Sequence, residues 1–239
     1  YETSQDNQTK LDEIIDVFKK MKLIVRNIHK YLSFFISVQL LLWTVSGIYF
    51  AFNKIELVRG EQYRLTNFSD INLGEIDFEI PKTSNLEIKK RLDKTILILS
   101  SDSGTSYLNS DGTSLDKISS EMAMLLVKQN TTLIPIEAEE ITSQKDGSEY
   151  RGRALPLIKV ISKNEKDKLI NVYLNVYSGE VTAIRSMQWK IWDVMWGFHI
   201  MDWQERDNID NLFLKIFSIL ALVSSITGIL LFFKIDFKR

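Results

Sequence analysis

Hydrophobicity lies along this chain in two long blocks, one near each end, with a mixed pattern between them. Residues 32–52 read LSFFISVQLLLWTVSGIYFAF, 21 positions without a charge. Residues 216–233 read IFSILALVSSITGILLFF, 18 positions without one, and Leu212, Phe213 and Leu214 extend this block across Lys215. Apolar residues cover every face of both blocks, so neither has the one-sided stripe of a helix lining a soluble core. At 1.5 Å per residue, each reaches roughly the 30 Å of a bilayer's hydrocarbon interior. The pattern predicts two transmembrane helices, at 31–52 and 210–233.

Ahead of the first block, Leu11, Ile14, Ile15, Phe18, Met21 and Val25 recur at helical spacing with lysines between them. This predicts an amphipathic basic helix over 1–30, lying on the inner leaflet or running straight into the first span. The block is too long for the apolar core of a signal peptide and lacks a small-residue cleavage pattern. Basic residues near span ends mark the cytoplasmic side. Lys19, Lys20, Lys22, Arg26 and Lys30 precede the first span with no acid after Asp16, and Lys234, Lys238 and Arg239 in the tail 234–239 follow the second against Asp236 alone. The loop-side flanks mix both signs. Both termini are therefore expected in the cytoplasm, with residues 53–186 in the periplasm or at the outer face of a bacterial plasma membrane.

That central segment reads as α+β, a helix with an antiparallel sheet. Residues 95–100 (TILILS) form a strand candidate, and 106–115 (SYLNSDGTSL) a hairpin turned at Asp-Gly. Ser119 or Ser120 is expected to cap a helix through Gln129 with Met122, Leu125 and Leu126 inward. Residues 157–162 and 169–176 alternate like paired strands around a polar turn, and 177–180 turn into a further strand at 181–185. Strand order is not set by this pattern. Beyond it, Trp189, Trp192, Trp196 and Trp203 fall at spacings of three, four and seven, with His199 in the same stripe. Indole prefers the headgroup zone, which predicts an interfacial helix over 187–206.

Composition removes several chemistries. Thirty basic residues balance 31 acidic ones for a net charge of −1, which gives no footprint for nucleic acid. With no cysteine, disulfides and thiolate metal sites are excluded. The only histidines are His29 and His199, so residues 53–198 hold none, and a Ser-His pair or a zinc set cannot form there. No glycine-rich phosphate loop or dinucleotide fingerprint occurs. Within the spans, Gln39, Ser46, Gly47, Thr227 and Gly228 are the polar and small residues expected where helices pack closely.

Four stretches resemble a PepSY domain carried by PepSY-associated transmembrane helices. They are RNIHKYLSFFISVQLLLWTVSGIYFAF (26–52), IELVRGEQY (55–63), NVYLNVYSGEVTAI (171–184), and WKIWDVMWGFHIMDWQERDNIDN followed by the span ending SSITGILLFF (189–233). PepSY modules are named for a proposed inhibitory role toward peptidases. The resemblance also implies a tie to ferrisiderophore reductases, larger proteins with more spans that hold haem between membrane helices. Their histidines stand where His29 and His199 stand here, which makes these two the expected cofactor-binding and haem-iron residues, with haem b the expected cofactor.

On the expected topology His29 lies at the inner mouth of the first span and His199 near the outer leaflet. One iron cannot take both within a single chain. A two-fold homodimer would pair each histidine with its copy, and other membrane-protein subunits would serve equally. Each histidine also has a plainer reading: His29 beside basic neighbours at lipid phosphate, His199 hydrogen-bonded within the tryptophan stripe. Two functions remain open. One is a plasma-membrane subunit carrying electrons through haem b, linked to iron uptake or respiration. The other is a non-redox accessory module whose periplasmic domain binds a partner protein. Membrane lipid is the expected environment for both.

Overall fold

The computed structural model describes residues 2–66, 70–82 and 84–236. The side chain of Leu11 and those of the 234–239 tail, invoked above, lie outside the described residues. In chain order the elements are α1 (Glu2–Phe52), α2 (Ile55–Val58), β1 (Asn85–Arg91), β2 (Lys94–Ser101), β3 (Gly104–Asn109), α3 (Ser120–Asn130), β4 (Ile134–Ile141), β5 (Leu157–Lys163), β6 (Leu169–Asn175), β7 (Val181–Arg185), α4 (Met187–Ile200) and α5 (Leu212–Asp236). Two compact units result, residues 1–49 with 195–239, and residues 50–194.

In the first unit, the basic stretch and the first apolar block form one uninterrupted helix, α1. No proline or glycine falls between Glu2 and Ser46 to break it. Stretches of α1 and α5, Asp12–Phe52 and Leu212–Phe233, are each long and apolar enough to cross a membrane. The helices are antiparallel. Rising along α1 from His29 to Phe35 descends α5 from Thr227 to Phe217, where the two phenyl rings stack with centroids 5.7 Å apart. Asn211 caps α5 by accepting from Leu214 N at 2.8 Å, two residues later than the predicted start of the second span.

The second unit is a helix with two antiparallel sheets, ordered β1-β2-β3 and β4-β5-β6-β7. α3 begins where Ser119 Oγ accepts from Met122 N. Its Ala123, Leu126 and Val127 close over Ile158, Val160, Ile170, Val172 and Leu174 of the four-stranded sheet. Leu125 turns outward and is 55% exposed, which corrects its assignment to the core. The core stripe runs through positions i, i+3 and i+4 from Ala123, and residue 125 lies off it. The far face of that sheet carries Leu157, Tyr173 and Ala183, covered by Tyr150 and Leu155.

The hairpin differs from the prediction as well. β2 turns into β3 through 101–104, and the Asp-Gly turn comes after β3. Only an isolated bridge, Leu108 to Ser114, follows it. Asp111 accepts from Thr113 N at 2.9 Å, so its side chain organises the turn while Gly112 supplies the positive φ of 82°. In the β6–β7 turn, Gly179 has φ of 72°, and a Cβ there would stand 2.4 Å from Leu126 Cδ1. Only glycine fits both demands.

Candidate functional site

Both histidines lie in the first unit, in separate polar layers. In the lower layer, His29 Nδ1 is 3.0 Å from Ser224 O and 3.1 Å from Thr227 Oγ1. A carbonyl only accepts, so Nδ1 carries the proton and Nε2 the lone pair. Ser33 Oγ bridges to Ser224 Oγ at 2.7 Å. Gly228 makes room for the ring, because a Cβ there would stand 3.1 Å from His29 Cε1. Thr227 and Gly228 are thus the α5 side of the His29 layer.

The upper layer is built from α1 and the end of α4. Ser46 Oγ lies 2.8 Å from Leu42 O and 2.8 Å from His199 Nδ1, so it links the His199 ring to α1. Trp196 stacks on the His199 ring at 6.3 Å and 12°. Gln39, 5% exposed, donates to Phe198 O at 3.0 Å, and Trp43 Nε1 donates to His199 O at 2.6 Å. Asn211 Nδ2 donates to Ile200 O at 2.8 Å, and Asp202 N to Gly197 O at 3.0 Å. All four C-terminal carbonyls of α4, which no helix satisfies internally, are therefore bonded. Gln39 and Ser46 serve α4, and a Cβ at Gly47 would meet nothing within 4 Å. From residue 29 to residue 46 is 17 steps of α1, so the layers are about 25 Å apart along the helix.

The tryptophans divide. α4 stops at Ile200 because Met201 takes φ of 56° and the Asp202 N to Gly197 O bond closes a Schellman turn. Trp203 therefore leaves the helical face predicted for 187–206 and stands 54% exposed in the following loop. Trp189, in the second unit, is 8% exposed between the guanidiniums of Arg151 and Arg185, 5.6 and 4.5 Å from its ring. Its ring therefore meets protein on both faces. Trp192 packs on Phe50 at 5.2 Å. Sequence reasoning missed Trp43, although Gln39, Trp43, Ser46 and Phe50 share one helical stripe at spacings of four, three and four.

Among the described residues no cluster of three or more His, Asp or Glu side chains is placed to hold a metal ion. The second unit contains a cleft of about 420 Å³ between β1, α3 and the β6–β7 turn, lined by Arg64, Ile88, Lys89, Leu92, Leu126 and Val181. Lys89 there pairs with Glu180 at 2.7 Å and Arg64 with Glu61 at 3.2 Å. No family model matches the chain, and neither the curated proteins nor the solved structures show a significant likeness to it.

Proposed function

We propose that this chain is a two-span membrane protein with a PepSY-type domain outside the cytoplasm, acting as a haem-b electron-transfer subunit of a larger plasma-membrane complex. The observation that carries the reading is the matched anchoring of the only two histidines. Each is held through Nδ1 by an oxygen on a neighbouring helix, which orients its ring, and for His29 the partner is a carbonyl, so Nε2 is the basic nitrogen. Metal-bound imidazoles are oriented in the same way, by a hydrogen bond from the ring nitrogen that does not meet the metal.

His29 in one layer and His199 in the other would each hold haem iron through a single imidazole. The second ligand of each pair must come from a second copy or another subunit. Haem held in both layers would supply one-electron exchange between the two sides of the membrane. Two features support the membrane setting. Outward residues of α1 and α5 are apolar, with Phe34 82% exposed, and the end of α4 is sealed as a lipid environment requires. The resemblance to PepSY proteins supports the link to iron uptake or respiration. Haem content and the Soret absorption of the gently purified protein test this function directly.

The cleft beside β1 favours the second reading, a non-redox accessory module that holds a partner through its outer domain. A protein that purifies without haem sinks the first reading and leaves this one.

A further inference from the structure

Residues 50–194 hold a group of charges at the start of α4 that the histidine layers do not involve. Glu149 accepts from Asn171 Nδ2 at 2.7 Å, Tyr173 Oη at 2.9 Å and Lys190 Nζ at 3.0 Å. Asp193, 3% exposed, pairs with Arg151. Arg185 has carbonyl partners instead: Nε donates to Glu149 O at 3.0 Å and Nη1 to Ile184 O at 3.2 Å. Among the described residues no carboxylate pairs with Arg185, and the exposed side chain of Arg153 has no hydrogen-bond partner. Burial, and then the nearby charge of Arg153, push the Arg185 guanidinium down to about 10, so it stays charged near neutrality.

Four cations, Arg151, Arg153, Arg185 and Lys190, therefore meet two carboxylates, Glu149 and Asp193, which leaves two positive charges unbalanced. A partly buried cation without a counter-charge is costly, and an anion removes that cost. The place is defined too. Gln188 Nε2 donates to Asn53 Oδ1 at 3.1 Å, which fixes the start of α4 beside the residue that follows the first apolar block. On the proposed topology this is the level of the outer headgroups.

We infer that Arg153, Arg185 and Lys190 form a binding site for a phosphate ester, supplied by the headgroup of an anionic phospholipid. The exposed Arg153 guanidinium matches phosphate oxygens in a bidentate manner, and Arg185, with two of its nitrogens on carbonyls, adds its charge nearby. Trp189 stiffens the floor beneath Arg185. The site rests on the membrane reading above, and its test separates the two.

The full chain in detergent is titrated with short-chain phosphatidylglycerol, short-chain phosphatidylcholine and inorganic phosphate. Thermal unfolding and lipid retention in native mass spectrometry are the readouts. Phosphatidylglycerol should stabilise the protein and be retained, with phosphatidylcholine weaker. Arg153→Gln should weaken that binding about tenfold, the effect of losing one charge-assisted contact, and Arg153→Lys by less. Because Arg153 is exposed and unpaired, these variants should fold. An equal response to inorganic phosphate keeps the site and makes free phosphate its ligand. No response to any phosphate, or an Arg153→Gln response equal to wild type, overturns the site. Alkaline extraction of the same membranes isolates the other failure. A chain that washes off defeats the spanning reading, whereas one that stays embedded without lipid preference defeats only the phosphate site.

Discussion

Glu149 joins three donors, Asn171 and Tyr173 from β6 and Lys190 from α4, and its ionisation registers whether they are assembled. Burial alone would raise its pKa, but donation from Asn171, Lys190 and Tyr173 outweighs burial and leaves the carboxyl below its ordinary value. Burial, and then the charge of Glu149, raise the Tyr173 phenol, which stays a donor at neutral pH. A depressed carboxyl stabilises the fold above its unfolded pKa, near 4.3, and loses that contribution as pH falls through the lower folded value. Stability should therefore fall as pH drops below about 5. Glu149→Gln should flatten this acid limb in thermal unfolding scans, and an unchanged pH profile would contradict the arrangement. At this scale the sequence was a partial guide. The two histidines stood out because they are rare. The Arg151–Trp189–Arg185 sandwich was hidden because Arg151, in the segment before β5, lies far along the chain from the other two and meets them only in the fold.

The end of α4 explains why an amide and an indole sit in an otherwise apolar stretch of α1. A helix that stops in lipid leaves four carbonyls without water, and each costs several kcal/mol if unpaired. Gln39, Trp43, Asn211 and the Asp202 amide take one each. Replacing Gln39 with Leu keeps the bulk and orphans Phe198 O, so it should destabilise the protein by about 1–3 kcal/mol in denaturant unfolding. Wild-type stability in that variant would mean water or lipid reaches the carbonyl instead. Elements with apolar runs were legible in advance: β2, β5, β6, β7, α3 and both long helices. β1 (NLEIKKR) and β4 (IPIEAEEI) escaped because they are edge strands rich in charge: the β4 glutamates are exposed, while β1 ends in a buried Arg91 that an apolar pattern does not mark. The end of α4 escaped because a non-glycine residue, Met201, takes the left-handed turn that glycine usually marks.

Across the whole molecule, the proposal places residues 53–186 outside the cytoplasm, with both ends inside. A reporter active only in the periplasm should work when fused after Asp146 and fail when fused after Arg239, and the reverse pattern would overturn the orientation. The periodicity conveyed two long apolar helices around a helix-and-sheet segment but not the separation of the described strands into two sheets. That separation depends on which strands pair, as β3 and β4 do not. The most direct measurement is haem content by absorption spectroscopy on wild type, His29→Ala and His199→Ala purified in parallel. In a symmetric assembly each substitution removes both imidazoles of one layer, so either variant should lose its own haem and keep the other, with the outer domain still folded. Wild type free of haem, or both variants with undiminished haem, would contradict the electron-transfer account.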